Sequence, residues 1–144
     1  KRRSAVEFNV WNDSVRGVPK NLYSNSTQVQ DSGNLMSAII SDGFTVQTDN
    51  SVNANSSTYV AWNWLAGTTS GIATNGATTI TPAAYSFNQT SGISIVNYDG
   101  NDTAGAKVAH GLGTTPDMMI VNIGQFIIKI WVTLIICNLI LMHN

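Results

Sequence analysis

The sequence predicts an all-β protein, an antiparallel β-sandwich or jelly roll. Three observations carry that prediction. Apolar and polar residues alternate with period two in several segments, Gly, Asp, Asn and Pro clusters separate those segments at short intervals, and no segment shows a convincing helical period. Composition agrees. Charged residues make up 10% of the 144 residues, against about 25% in an ordinary soluble domain. Asn, Ser, Thr and Gly take their place, giving a polar but nearly neutral surface. Disordered chains combine high net charge with low hydrophobicity, and this chain does not.

Taken in order, Val6, Phe8 and Val10 alternate with Glu7, Asn9 and Trp11, so a strand is expected there, broken by Asn12-Asp13-Ser14 and again by Arg16-Gly17-Val18-Pro19. Asn21–Asn34 is polar and reads as a long loop. Leu35–Ile40 and Phe44–Thr48 flank Ser41-Asp42-Gly43 and predict a hairpin, Gly43 being expected to supply the positive φ that a tight turn needs. Asp49–Ser57 is a second polar loop. Thr58–Leu65 reads as the best strand of the chain, a central one, with Val60, Trp62 and Trp64 on an inward face and Tyr59, Ala61, Asn63 and Leu65 on the other. Ala66–Ala77 is loop-like, and Thr78–Thr81 is a short strand stopped by Pro82. Ile93–Tyr98, Ala106–His110 and Met118–Val121 complete the strands, separated by Asp99-Gly100-Asn101-Asp102 and by Gly111-Leu112-Gly113 with Pro116.

The composition changes abruptly near the end. Between Phe126 and Met142 glycine and serine vanish, and Ile and Leu dominate around Lys129, Thr133 and Asn138. Three readings compete: a transmembrane helix at the lower length limit, a buried strand pair or helix of the same domain, and a non-native tail. The expected division is a β-sandwich module over 1–121 and an apolar tail over 122–144. The chain begins at Lys1 with no apolar run behind it, so it reads as a piece of a longer β-protein with an incomplete sandwich.

Few chemistries fit. The net charge of −1 and pI near 6.0 give no case for nucleic acid. Cys137 is the single cysteine, which excludes an internal disulfide. His143 lies in the anomalous tail, leaving His110 as a structural hydrogen-bonding residue. Gly111-Leu112-Gly113 lacks the rest of a nucleotide-binding loop and reads as a turn. Glu7 is the one glutamate, and the aspartates fall mostly at turns, so the two facing carboxyls of a glycosidase are not expected. Asp99–Asp102 gathers oxygen ligands of a kind that calcium takes, but a plain turn accounts for it. Asn-x-Ser/Thr sequons at Asn12, Asn25, Asn55, Asn88 and Asn101 are expected by chance in such a composition. Aromatic residues remain as ligand-binding candidates by stacking on sugars: Trp11, Tyr59 and Tyr98, with Trp62 and Trp64 assigned to the core. No catalytic residue, metal site or cofactor is expected.

Three sets of segments resemble a known family when read together. They are Trp11–Gly17; Ser41–Val46 with Tyr59–Trp64; and Gly92–Tyr98 with His110–Gly113 and Pro116–Val121. In this order they resemble a domain of large virion and tail structural proteins of tailed, often marine, bacteriophages, similar to the concanavalin A-like lectin/glucanase sandwich. The resemblance covers about residues 1–121 and brings no catalytic residues. It implies a structural or adhesion module of a virion or tail fibre, extracellular, oligomeric with other copies and other virion proteins, and able to hold a host-surface glycan. The alternatives are a carbohydrate-active enzyme of the same sandwich class and a surface protein anchored in a membrane by residues 126–142.

Overall fold

A computed structural model describes residues 1–74, 76–123 and 130–136, with side chains up to Val121. The chain is rich in short antiparallel strands and divides into two compact units, Lys1–Asn63 and Trp64–Asn144. The coarse class predicted from sequence, all-β, is therefore present.

In the first unit β1 (Val10–Trp11) pairs with β2 (Leu22–Tyr23), and β3 (Met36–Ile40) pairs with β4 (Gly43–Val46). The expected hairpin is there: Ile40 faces Gly43 across a two-residue loop of Ser41 and Asp42. Its stated reason is corrected. Gly43 is a strand residue without a positive φ, and neither loop residue, Ser41 or Asp42, has one. The strand expected over Val6–Trp11 shrinks to its last two residues, with Val6 97% exposed. The polar stretches differ from plain loops. Asn21–Asn34 contains β2 and the fully buried Asn21. Asp49–Ser57 contains a single helical turn, α1 (Asn50–Asn53), whose first orphan N–H groups are met by the Asp49 carboxylate accepting from the Ser51 N–H at 2.7 Å.

The segment Thr58–Leu65 is the largest correction. It is irregular, with one bridge between Tyr59 and Arg2. Trp62 and Trp64 are 62% and 46% exposed, so neither is a core residue. Alternation of apolar residues marks a strand only where a neighbouring backbone is available to pair with it.

In the second unit one four-stranded antiparallel sheet runs in the order β5 (Ala84–Asn88), β6 (Ile93–Asp99), β8 (Ile130–Ile136), β7 (Met118–Ile123). β6 and β7 match their sequence expectations, whereas β5 was not foreseen. Thr78–Thr81 and Ala106–His110 contribute only the parallel bridge between Ile80 and Val108. The position taken as the end of the module, Val121, falls inside β7, and the backbone of Ile130–Ile136 lies between β6 and β7. The rest of the apolar run from Phe126 to Met142, with Lys129, Cys137 and Asn138, and His143 beyond it, lies outside the described residues. Among the described residues no helix is long and apolar enough to cross a membrane. The core of this unit gathers Phe87, Ile93, Val96, Ala109 and Leu112. Its buried serines are satisfied: the Ser94 hydroxyl donates to the His110 carbonyl at 2.6 Å, and Ser86 Oγ accepts from the Gly67 N–H at 2.8 Å.

Candidate functional site

An open cavity lies in each unit. That of the second unit, about 460 Å³, lies beside the end of β6. Its apolar part is built by Ile80 and Val108, held together because the Lys107 carbonyl accepts from the N–H groups of Thr79 and Ile80, both at 3.0 Å. Its polar part is the loop after Asp99. There Asn101 Oδ1 accepts from the Thr103 N–H at 3.1 Å, and Thr103 Oγ1 donates to the Asn101 carbonyl at 3.2 Å. Asp102 takes a left-handed φ of 54°, which an Asx residue tolerates. Tyr98, half-buried, lines the same space. One aromatic residue, the apolar Ile80, Ala106 and Val108, and the polar Asn101, Asp102 and Thr103 thus line one space, the mix of apolar and polar groups that small-ligand sites use.

The cavity of the first unit, about 400 Å³, is lined by Glu7, Asp31 and Asp49 together with Phe8, Tyr23 and Gln28. Three carboxylates thus meet one space, which the scattered turn aspartates of the sequence did not announce. All three are engaged. Glu7 pairs with Arg2 at 3.3 Å and accepts from the Ser51 hydroxyl at 3.4 Å. Asp49 caps α1. Asp31 accepts from Asn21 Nδ2 at 2.8 Å, the Tyr23 hydroxyl at 2.7 Å, Gln28 Nε2 at 2.9 Å and the Gly33 N–H at 3.0 Å. Burial alone pushes the Asp31 carboxyl up, but the bonds from Asn21, Tyr23 and Gly33 outweigh it and hold the group below its ordinary value. The Tyr23 hydroxyl moves the other way, raised first by burial and then by its bond to Asp31. Among the described residues no three His, Cys, Asp or Glu side chains come together as metal ligands.

Of the three residues chosen from the sequence, Tyr98 lines the cavity of the second unit. Tyr59 is used locally: its hydroxyl accepts from the Ala54 N–H and donates to the Asn50 carbonyl, both at 2.7 Å, closing the end of α1. Trp11 is half-buried in β1, and its carbonyl accepts from Arg16 at 3.4 Å. His110 has the structural part expected of it, Nδ1 accepting from the Leu112 N–H at 3.2 Å, and burial lowers its pKa. In the sequence Asn101 counts only as part of a possible calcium loop and as a sequon, and Thr103 does not stand out; both sit in a stretch that reads as turn, and no periodicity separates a binding loop from a connecting one.

Comparison with known proteins gives one family. A model described as a domain of unknown function, DUF7483, matches residues 1–135. No curated protein and no solved structure matches the chain.

Proposed function

The chain belongs to the DUF7483 family, and from that premise we propose that it is a structural and adhesion module of a phage virion or tail fibre that holds a host-surface glycan. The observation that carries this reading is the cavity at Tyr98, which Tyr98, the apolar Ile80 and Val108, and the polar Asn101 and Thr103 line together. Pyranoses present an apolar face for stacking and a polar edge for hydrogen bonds, so they suit such a wall. The low charge and the sequence resemblance to virion domains point the same way, to an extracellular module acting as an oligomer among other virion proteins. The reading makes the two units parts of a concanavalin A-like sandwich, and the module non-catalytic.

Titration of the whole chain against an array of bacterial surface glycans tests it. Binding is expected, with loss in Tyr98→Ala and retention in Tyr98→Phe. No binding to any glycan would remove the adhesion role, and absence of the protein from purified virions of its source would remove the structural one.

A second reading, a carbohydrate-active enzyme of the same class, draws on Glu7, Asp31 and Asp49 around the other cavity. It is weaker, because glycoside hydrolysis needs a carboxylic acid whose pKa is raised, and Asp31 is held low. Release of reducing ends by the whole chain that disappears in Glu7→Gln would establish it; no release would end it.

A further inference from the structure

Resting on the reading of the Tyr98 cavity as a glycan site, we propose that the sugar it takes carries an acetamido group. Two features of the wall select for it. The first is the floor. Ile80 and Val108 are joined by a parallel bridge, and Ala106 lines the same space. A sugar hydroxyl placed there would lose its hydration without gaining a partner, whereas a methyl group gains contact.

The second feature is the state of the rim. Asn101 spends its carbonyl oxygen on the Thr103 N–H, which fixes the amide plane. Among the described residues its Nδ2 has no hydrogen-bond acceptor, so the two donors remain for a ligand carbonyl. Thr103 spends its hydroxyl proton on the Asn101 carbonyl, which leaves Oγ1 able to accept. The rim therefore offers a donor and an acceptor side by side. An acetamido group presents the complement in one unit: a carbonyl that accepts, an N–H that donates and a methyl that packs. A plain hexose has the polar groups without the methyl. A 6-deoxy sugar has the methyl without the amide pair. Tyr98 would lie against the apolar face of the ring and contribute affinity common to all pyranoses.

Chitotriose and cellotriose differ only in the group at C2, so the pair isolates this inference from the reading beneath it. Calorimetric titration of the whole chain should show chitotriose bound about tenfold more tightly or better. Asn101→Ala, with an unchanged circular dichroism spectrum, should narrow the gap between chitotriose and cellotriose and leave only the part that the methyl contact supplies. Tyr98→Ala should weaken both alike. Equal binding of the two oligosaccharides by the unsubstituted chain would overturn the acetamido inference while leaving a glycan site. Tighter binding of a rhamnose or fucose oligomer than of chitotriose would also overturn it, assigning the floor to a methyl without an amide. Failure of every sugar to bind would overturn both readings.

Discussion

The two units satisfy their backbones by different means. In Trp64–Asn144 a ladder does the work. β6 has partners on both sides over Ile93–Asn97, and the buried residues between β5 and the Ala109–Leu112 turn are apolar or short hydroxyls. In Lys1–Asn63 the paired segments are short, and side chains substitute for strands. Asn21 donates to Asp31 and to the Gly33 carbonyl, accepts from Asn12, and exchanges backbone bonds with Asp31. Arg16, its side chain 3% exposed, holds Asp13, Gln30 and the Trp11 carbonyl together. A ladder tolerates the loss of one side chain because each backbone bond stands apart from it. A side-chain network does not, since each amide or guanidinium serves several partners.

The largest effect should come from overfilling the second unit. Gly111 has φ +76°, and a Cβ there would stand 2.7 Å from the Phe87 ring. Gly111→Ala should cost about 3 kcal/mol in a urea melt, from strain and overpacking together. In a Phe87→Ala background the added cost should fall to about 1 kcal/mol, the part that belongs to φ. An unchanged cost would mean that the ring is not the obstacle.

The next effect breaks the first unit. Asn21→Ala takes a donor from the Gly33 carbonyl and from Asp31 Oδ1, which keeps the Gly33 N–H, and empties the fully buried Asn21 position, at about 2 kcal/mol. Hydrogen exchange should quicken at Leu22 and Tyr23 and stay unchanged at Ile95 and Val96. Equal quickening in both sets would show that the units do not differ as claimed.

Acid and alkali should separate the units further. The lowered pKa of Asp31 gives stability that is present above the unfolded carboxylate value of about 3.9 and lost as pH falls through the folded value. The raised pKa of Tyr23 gives stability that is full below about 10 and lost as pH climbs above it. The first unit should therefore weaken at both extremes. His110 in the second unit has a lowered pKa, so its contribution is present above about 6.5 and declines as pH falls below that. Exchange at Leu112 should thus respond in mild acid, before exchange at Tyr23 does. The reverse order would contradict the assignment.

What was legible in the sequence follows the same division. β6 and β7 announce themselves through apolar runs bounded by turn residues, because a ladder writes its period into the chain. The Asn21–Asp31 network does not. A buried Asn that meets four groups and a solvated Asn in a loop are the same letter, and only tertiary placement tells them apart. Tyr98 could be picked out as an aromatic at the end of a strand, but that Asn101 and Thr103 line one space with Ile80 and Val108 shows only once the chain is folded. Thr58–Leu65 failed for the converse reason: the period was present and the pairing was not.

The smallest effect tests a case where the right element was reached through the wrong cause. Asp42-Gly43 signals a hairpin because glycine usually enters the left-handed region there, yet Gly43 does not, and nothing lies within 4 Å of where its Cβ would be. A residue in that position holds no strain for glycine to relieve, and glycine widens the unfolded ensemble. Gly43→Ala should therefore stabilise the chain by about 0.5 kcal/mol, with the β3–β4 register intact. A loss of stability instead would mean that the turn does use a positive φ at Gly43, and that the side-chain network of the first unit rests on a more conventional hairpin than the one described.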